Sequence, residues 1–360
     1  MLNLKATMEG FNARMEDGED SNTSVSIDQQ IEIEAGAAEE AETVAETSEE
    51  INEADDVADE AEELMAQFAI VDHMDSVVSV TGWSRPVAMA FNSHNEIEDN
   101  FNVYGLPAME NLEMIASPMD STSVMVLEGF KETMKDFWEW IKKICRKIAD
   151  AVVNLAERVT AMFMGIDRVS RRLANAIKEA DINPEKMKEK KATLLKRPVW
   201  NTAFSFFKNG IAFAEKIASA DKEKTAEEAN RVKNLITETF KPSEMTVAES
   251  KWTVADCSKS DDVAYLVAAS KTFSKAYATI KNMAKTTEAA AAREEKMSNT
   301  DPSGAKSTRE EARNQVTMMT KSQQYVNALV KLGSSLAKEH VKAQRAVFAC
   351  RGKADKSDKK

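Results

Sequence analysis

The chain has 360 residues, with 48 Lys/Arg against 60 Asp/Glu, a net charge of -12 and 43% apolar residues. Eleven glycines and seven prolines are too few for a β-sandwich or a doubly wound sheet, and the Ala, Glu, Lys and Met content favours long helices. Three cysteines and three histidines exclude a disulfide framework and leave little for a zinc site, and no apolar run is long enough to span a bilayer.

The length suggests two regions, and the charge divides them. Residues 1–128 hold 30 acidic side chains and three basic ones (Lys5, Arg14, Arg85), a net -27. Residues 129–360 hold 45 basic and 30 acidic side chains, a net +15. The first residues lack a basic start followed by an apolar core, so no secretory signal is expected. From Asp17 to Glu63 the chain is Glu, Asp, Ala, Ser and Thr with almost no aromatics. Such a segment buries too little apolar surface to offset its ordering entropy, so 1–63 is expected to be a disordered acidic leader. Residues 64–128 bring Phe68, Val71, Val78, Trp83, Phe91 and Phe101 without a sustained period. They are expected to form short strands or a loosely ordered segment.

From Glu128 the pattern sharpens. Phe130, Met134, Phe137, Ile141, Ile144, Ile148, Val152, Leu155, Val159, Met162, Ile166, Val169, Leu173 and Ile177 recur at steps of nearly always three or four. They predict a helix over 129–180, with a slip or bend near 148–159 and a stop at Asn183-Pro184. Helices are further predicted over 185–195, 200–219, 223–240, 260–297 and 307–350, with a strand or loop over 244–256. The expected fold is mainly α: a helical bundle body over 129–350 behind a largely disordered acidic arm, with a solvated basic tail over 351–360.

No catalytic constellation is present: no Gly-rich phosphate loop, H-E-x-x-H, C-x-x-C or G-x-S-x-G. Neither an enzyme nor a cofactor is expected. His73, between Asp72 and Asp75, reads as an exposed histidine, and Cys145 as a small core residue. Two basic clusters suit a polyanion. Phe137, Trp138 and Trp140 stand beside Lys142, Lys143, Arg146 and Lys147, a pattern that also fits an ordinary bundle helix or an amphipathic helix on a membrane surface. The stronger cluster is Lys186, Lys188, Lys190, Lys191, Lys196 and Arg197, set against two glutamates.

An acidic leader ahead of a basic helical body resembles the internal head proteins of large tailed bacteriophages. In that family a prohead protease cuts after Glu, with Ala, Ile or Leu three residues before the cut and a small residue after it. Ile51-Asn52-Glu53, Ala58-Asp59-Glu60 and Ala108-Met109-Glu110 match, and Glu128 before Gly129 matches except at Val126. Ala226-Glu227-Glu228, Ala292-Arg293-Glu294 and Ala337-Lys338-Glu339 match inside predicted helices, where a protease finds no unfolded chain. Gly129 to Cys145 also looks like the helix that opens the body of such virion proteins. The resemblance implies a structural protein of the head interior, assembled in the host cytoplasm. Its implied partners are the prohead protease, packaged DNA and other head proteins. Cutting after Glu110 would leave 45 basic and 33 acidic residues, a body of +12 freed from its acidic cover. Two alternatives stand beside this: a membrane-active or host-directed effector using the amphipathic helix 130–165, and an assembly or scaffolding protein.

Overall fold

The computed structural model describes residues 27–94, 106–217, 221–298 and 305–352. Among them run α1 (Ile27–Thr81), α2 (Arg85–His94), α3 (Ser121–Glu179), α4 (Pro184–Glu189), β1 (Lys191–Leu194), α5 (Arg197–Ala214), α6 (Lys222–Thr239), β2 (Ser243–Thr246), α7 (Val254–Cys257), α8 (Asp261–Ser298) and α9 (Ala305–Phe348). The fold is mainly α, as the composition predicts.

The body helices lie close to their predicted places, except that α3 begins at Ser121, eight residues before the expected start and across the expected boundary at 128/129. Asp120 caps α3 by accepting from the Ser123 N–H, and this hydrogen bond holds its carboxyl below the usual range. The helix runs unbroken for 59 residues, so the slip in its stripe does not divide it into two helices. The 185–195 region differs from expectation. Asn183 and Pro184 start only a short α4, after which β1 pairs antiparallel with β2 in the register Lys191↔Thr246 to Leu194↔Ser243.

The main correction is at the front of the chain. Residues 1–26 of the expected leader lie outside the described residues. From Ile27 the chain is helical, and side chains from Val44 onward are packed. Val44, Thr47, Ile51, Ala54, Ala58, Ala61, Met65 and Phe68 are all buried, at alternating steps of three and four. That is a heptad face built half from small residues. The expected disorder over 43–63 and the loose order over 64–81 give way to one helix, because alanine and threonine suffice where two helices approach closely. The helix ends at Gly82, whose φ of +75° and close approach to the Ser117 carbonyl admit no side chain. Trp83, Phe91 and Phe130 then form a cluster of rings 5.8–6.0 Å apart.

Four long helices alternate in direction. Phe68 meets Phe137, Glu60 meets Lys147 and Glu50 meets Arg158, so α1 and α3 are antiparallel. Asp72 meets Arg309, Glu62 meets Lys321 and Asp55 meets Lys331, so α1 and α9 are antiparallel as well. Arg146 and Thr160 of α3 reach Glu288 and Ser274 of α8, and Thr287 and Tyr277 of α8 reach Gln315 and Asn327 of α9. The result is an up-down-up-down bundle in which α1 is one wall. Helix α9 is its spine. Every side chain from Ser322 to Val330 is buried, because α5 and α6 cover the side that the bundle leaves open. Gly333 lets α5 close on α9: a Cβ there would lie 2.9 Å from the Phe207 ring. Among the described residues no helix is long and apolar enough to cross a membrane. The apolar face of 130–165 is buried inside the bundle.

Candidate nucleic-acid interface and its acidic cover

The acidic helix meets the body through two unlike seams. Against α3 an apolar contact, led by the Phe68 and Phe137 rings edge to face at 4.9 Å, is flanked by ion pairs. Against α9 the contact is polar. The Asp72 carboxylate is 3% exposed and accepts from Arg309 at 2.7 and 3.0 Å and from Arg313. Lys331 and Asn327 donate to Asp55 at 2.8 and 2.7 Å, Gln324 to Asp59 at 2.7 Å, Lys321 to Glu62, and Gln323 to the Ala54 carbonyl. On the α3 side Lys147 reaches Glu60 at 2.7 Å, and Arg158 reaches Glu46 and Glu50 at 3.2 and 2.7 Å.

Burial ranks these pairs. Taking one partner from a buried, doubly bonded ion pair costs about 3–5 kcal/mol, whereas an exposed pair contributes at most about 1 kcal/mol. Asp72 is therefore the electrostatic anchor, and Glu46 belongs to the rim. At Glu50, burial raises the carboxyl pKa more than the Arg158 charge lowers it. These pairing residues escape a reading based on clusters of like charge, because each acid and its base lie more than 80 residues apart. The one local cue is that Arg309 and Arg313 are four apart, on one helix face.

The first basic cluster is mostly neutralised within the body. Lys142 binds Glu139 and Glu295 at 2.6 and 2.8 Å, hydrogen bonds that raise its pKa, and Arg146 binds Glu288. Lys147 is held by Glu60 of the arm. Lys143 is exposed, over the Trp140 ring at 4.4 Å. Trp138 is buried, and Trp140 packs partly buried against the core. A continuous basic–aromatic face for DNA is thus not formed at 142–147.

The second cluster divides differently. Arg197 is structural: its guanidinium lies 4.4 and 4.5 Å from the Trp200 and Trp252 rings and binds Asp262 at 2.9 Å. Its side chain is only 15% exposed. Lys186, Lys188, Lys190, Lys191 and Lys196 are all exposed on the α4–β1 knob. Their local partners are weak: Lys188 with Glu185, Lys191 with Glu244 at 3.5 Å, and Lys186 with the Arg351 carbonyl. Ile182 bridges to Arg351, so the knob sits beside the C-terminal end of α9. Residues 353–360 of the basic tail lie outside the described residues.

The cleavage candidates are also sorted by position. Glu53 and Glu60 are on α1 and Glu128 is on α3, all exposed but inside helices. A protease that needs extended chain meets structure at each. Glu110 is in the 3-10 turn Met109–Asn111, within the otherwise non-helical stretch 106–120. It is the one of the four outside an α-helix.

Other reactive groups are buried or scattered. Burial raises the thiols of Cys145 and Cys257 to about 12, which suits core packing rather than nucleophilic chemistry. His73 is exposed on α1. Among the described residues no group of three or more His, Cys, Asp and Glu side chains could hold a metal ion. No profile of a known family, no curated protein and no solved structure matches the chain.

Proposed function

We propose that this chain is a non-enzymatic structural protein of the head interior of a large tailed bacteriophage. Its acidic front half acts as a built-in cover for a basic helical body that contacts packaged DNA. The observation that carries this reading is the charge register of α1. Its carboxylates hold Lys147 and Arg158 of α3 and Arg309, Arg313, Lys321 and Lys331 of α9. Release of α1 would add these six cations to the exposed lysines of the α4–β1 knob. A cut by the prohead protease is best accommodated after Glu110, and it would leave the arm docked until something displaces it.

The test is a salt titration of duplex DNA binding, with a site-specific protease sequence placed after Glu110. Intact chain and nicked chain freed of its arm are compared. The arm-free body should bind more tightly, with a steeper loss of affinity as salt rises. Equal, salt-insensitive affinities would refute the reading. A second reading, an assembly protein, has its own support. Loss of α1 uncovers Phe137 and the rest of an apolar seam on α3, which suits a partner helix as well as basic residues suit DNA.

A further inference from the structure

We propose that a polyanion and the amino-terminal half of α1 compete for one groove. The half up to Glu63 opens as a unit and admits a phosphate backbone between α3 and α9, while the half from Met65 stays docked. That the polyanion is DNA rests on the proposed function; the opening of this half does not.

The two halves are held by different forces. From Met65 the buried stripe is Met65, Phe68, Val71, Met74 and Val78, continued past Gly82 by Trp83 and Phe91, and the Asp72 carboxylate is 3% exposed between Arg309 and Arg313. Before Met65 the stripe is Val44, Thr47, Ile51, Ala54, Ala58 and Ala61. Burying an alanine removes one methyl group from water, a small part of what burying a phenylalanine or methionine removes. Ion pairs take over there, and water reaches them. Lys147 and Glu60 are 37% and 44% exposed, and Arg158 is 46% exposed beside Glu46 and Glu50. Such pairs are weak and screened by salt. The same seam buries Glu50 Oε2, Glu62 Oε1 and Gln323 Oε1 without hydrogen-bond partners, oxygens that regain water when it opens.

Opening frees four of the six cations that α1 holds. Lys147 and Arg158 line one rim and Lys321 and Lys331 the other, the two members of each rim about 15 Å apart along a channel one helix wide. Cations on both rims suit a phosphate backbone. Because arm and polyanion use the same cations, each must weaken the other's hold by the same factor.

Thiol reporters in the full-length chain test it. The three native thiols are buried, and wild type gives their background. Ala58→Cys places a thiol under the opening half and Val71→Cys one under the docked half, at positions 0% and 1% exposed. A thiol reagent should modify Ala58→Cys about tenfold faster than Val71→Cys. A short DNA duplex or polyphosphate should speed Ala58→Cys further and leave Val71→Cys unchanged. Equal protection at both sites, with or without polyanion, would overturn the competition. Duplex DNA that binds without speeding Ala58→Cys overturns it too, while the DNA reading stands. Polyphosphate that speeds Ala58→Cys where duplex DNA does not bind supports the competition and counts against the DNA reading. Ala58→Leu loosens the same half with no change of charge and should tighten polyanion binding about fivefold or more. Unchanged affinity in that variant would overturn the competition.

Discussion

Helices α1 and α3 are nearly equal in length, 55 and 59 residues, and lie antiparallel in one bundle, yet they differ in how they announce themselves. The buried stripe of α3 is written in Phe, Ile, Leu, Val and Met, with charges on the other face. That of α1 is written partly in Ala and Thr, within a sequence so acidic that its composition reads as unfolded. The difference teaches that disorder inferred from composition concerns the isolated segment. A partner with complementary charge and a ready groove supplies what the segment lacks. Near Ala54, Ala58 and Ala61, helix approach and ion pairing replace the bulky side chains that stabilise α3.

The sharpest way to break this comparison is at the two anchors of α1. Phe68→Ala leaves a cavity against Phe137 and should cost about 3–5 kcal/mol in denaturant unfolding. Asp72→Ala leaves Arg309 and Arg313 facing each other in a largely buried site and should cost a similar amount, about 3–5 kcal/mol. If both cost under 0.5 kcal/mol, as ordinary surface changes do, α1 is not part of the bundle.

A contrasting test lies in the body, away from the arm. His340 is wedged against Trp200 and Trp252, and burial lowers its pKa from 6.5 to about 4. The groups around it divide: Asp262, Asp256 and the Lys259 carbonyl favour the charged form, and Arg197 opposes it. The unfolded chain binds the extra proton first. The stabilisation is therefore complete above pH 6.5 and is lost as pH falls toward 4, about 3 kcal/mol in all. Wild type and His340→Gln, compared by unfolding across that range, should differ by this slope, whereas the Phe68→Ala penalty should hardly change.

Smaller effects sharpen the small-residue argument. Ala58→Leu should cost about 1–3 kcal/mol by overfilling a fully buried alanine position of α1, although leucine is more apolar and also a good helix former. Glu46→Ala removes an exposed partner of Arg158 and should change stability by less than about 1 kcal/mol. Thermal unfolding of the two variants side by side reads both.

Much of the body was legible in advance because its stripes are long and bulky and Asn183-Pro184 marks a stop, whereas the caps at Asp120 and Asp221 went unread. The site was legible only in part. Net charge separated the acidic half from the basic one. Periodicity could not reveal that Arg197 belongs between two tryptophans, or that Lys142 and Arg146 already face Glu295 and Glu288 on α8. Those partners are set by how helices pack, and local spacing does not encode them. The short β1–β2 pair was hidden for a related reason: four-residue strands carry too little alternation to stand out from a basic helix-like run.

The most direct measurement is native-state hydrogen exchange across the full-length chain. If α1 is a wall of the bundle, amides 44–78 exchange far more slowly than an unstructured peptide, and Asp72→Ala speeds them together while α8 and α9 keep their protection. Exchange of 44–78 at the rate of free chain, unaltered by Asp72→Ala, would contradict the docked acidic helix and every consequence drawn from it.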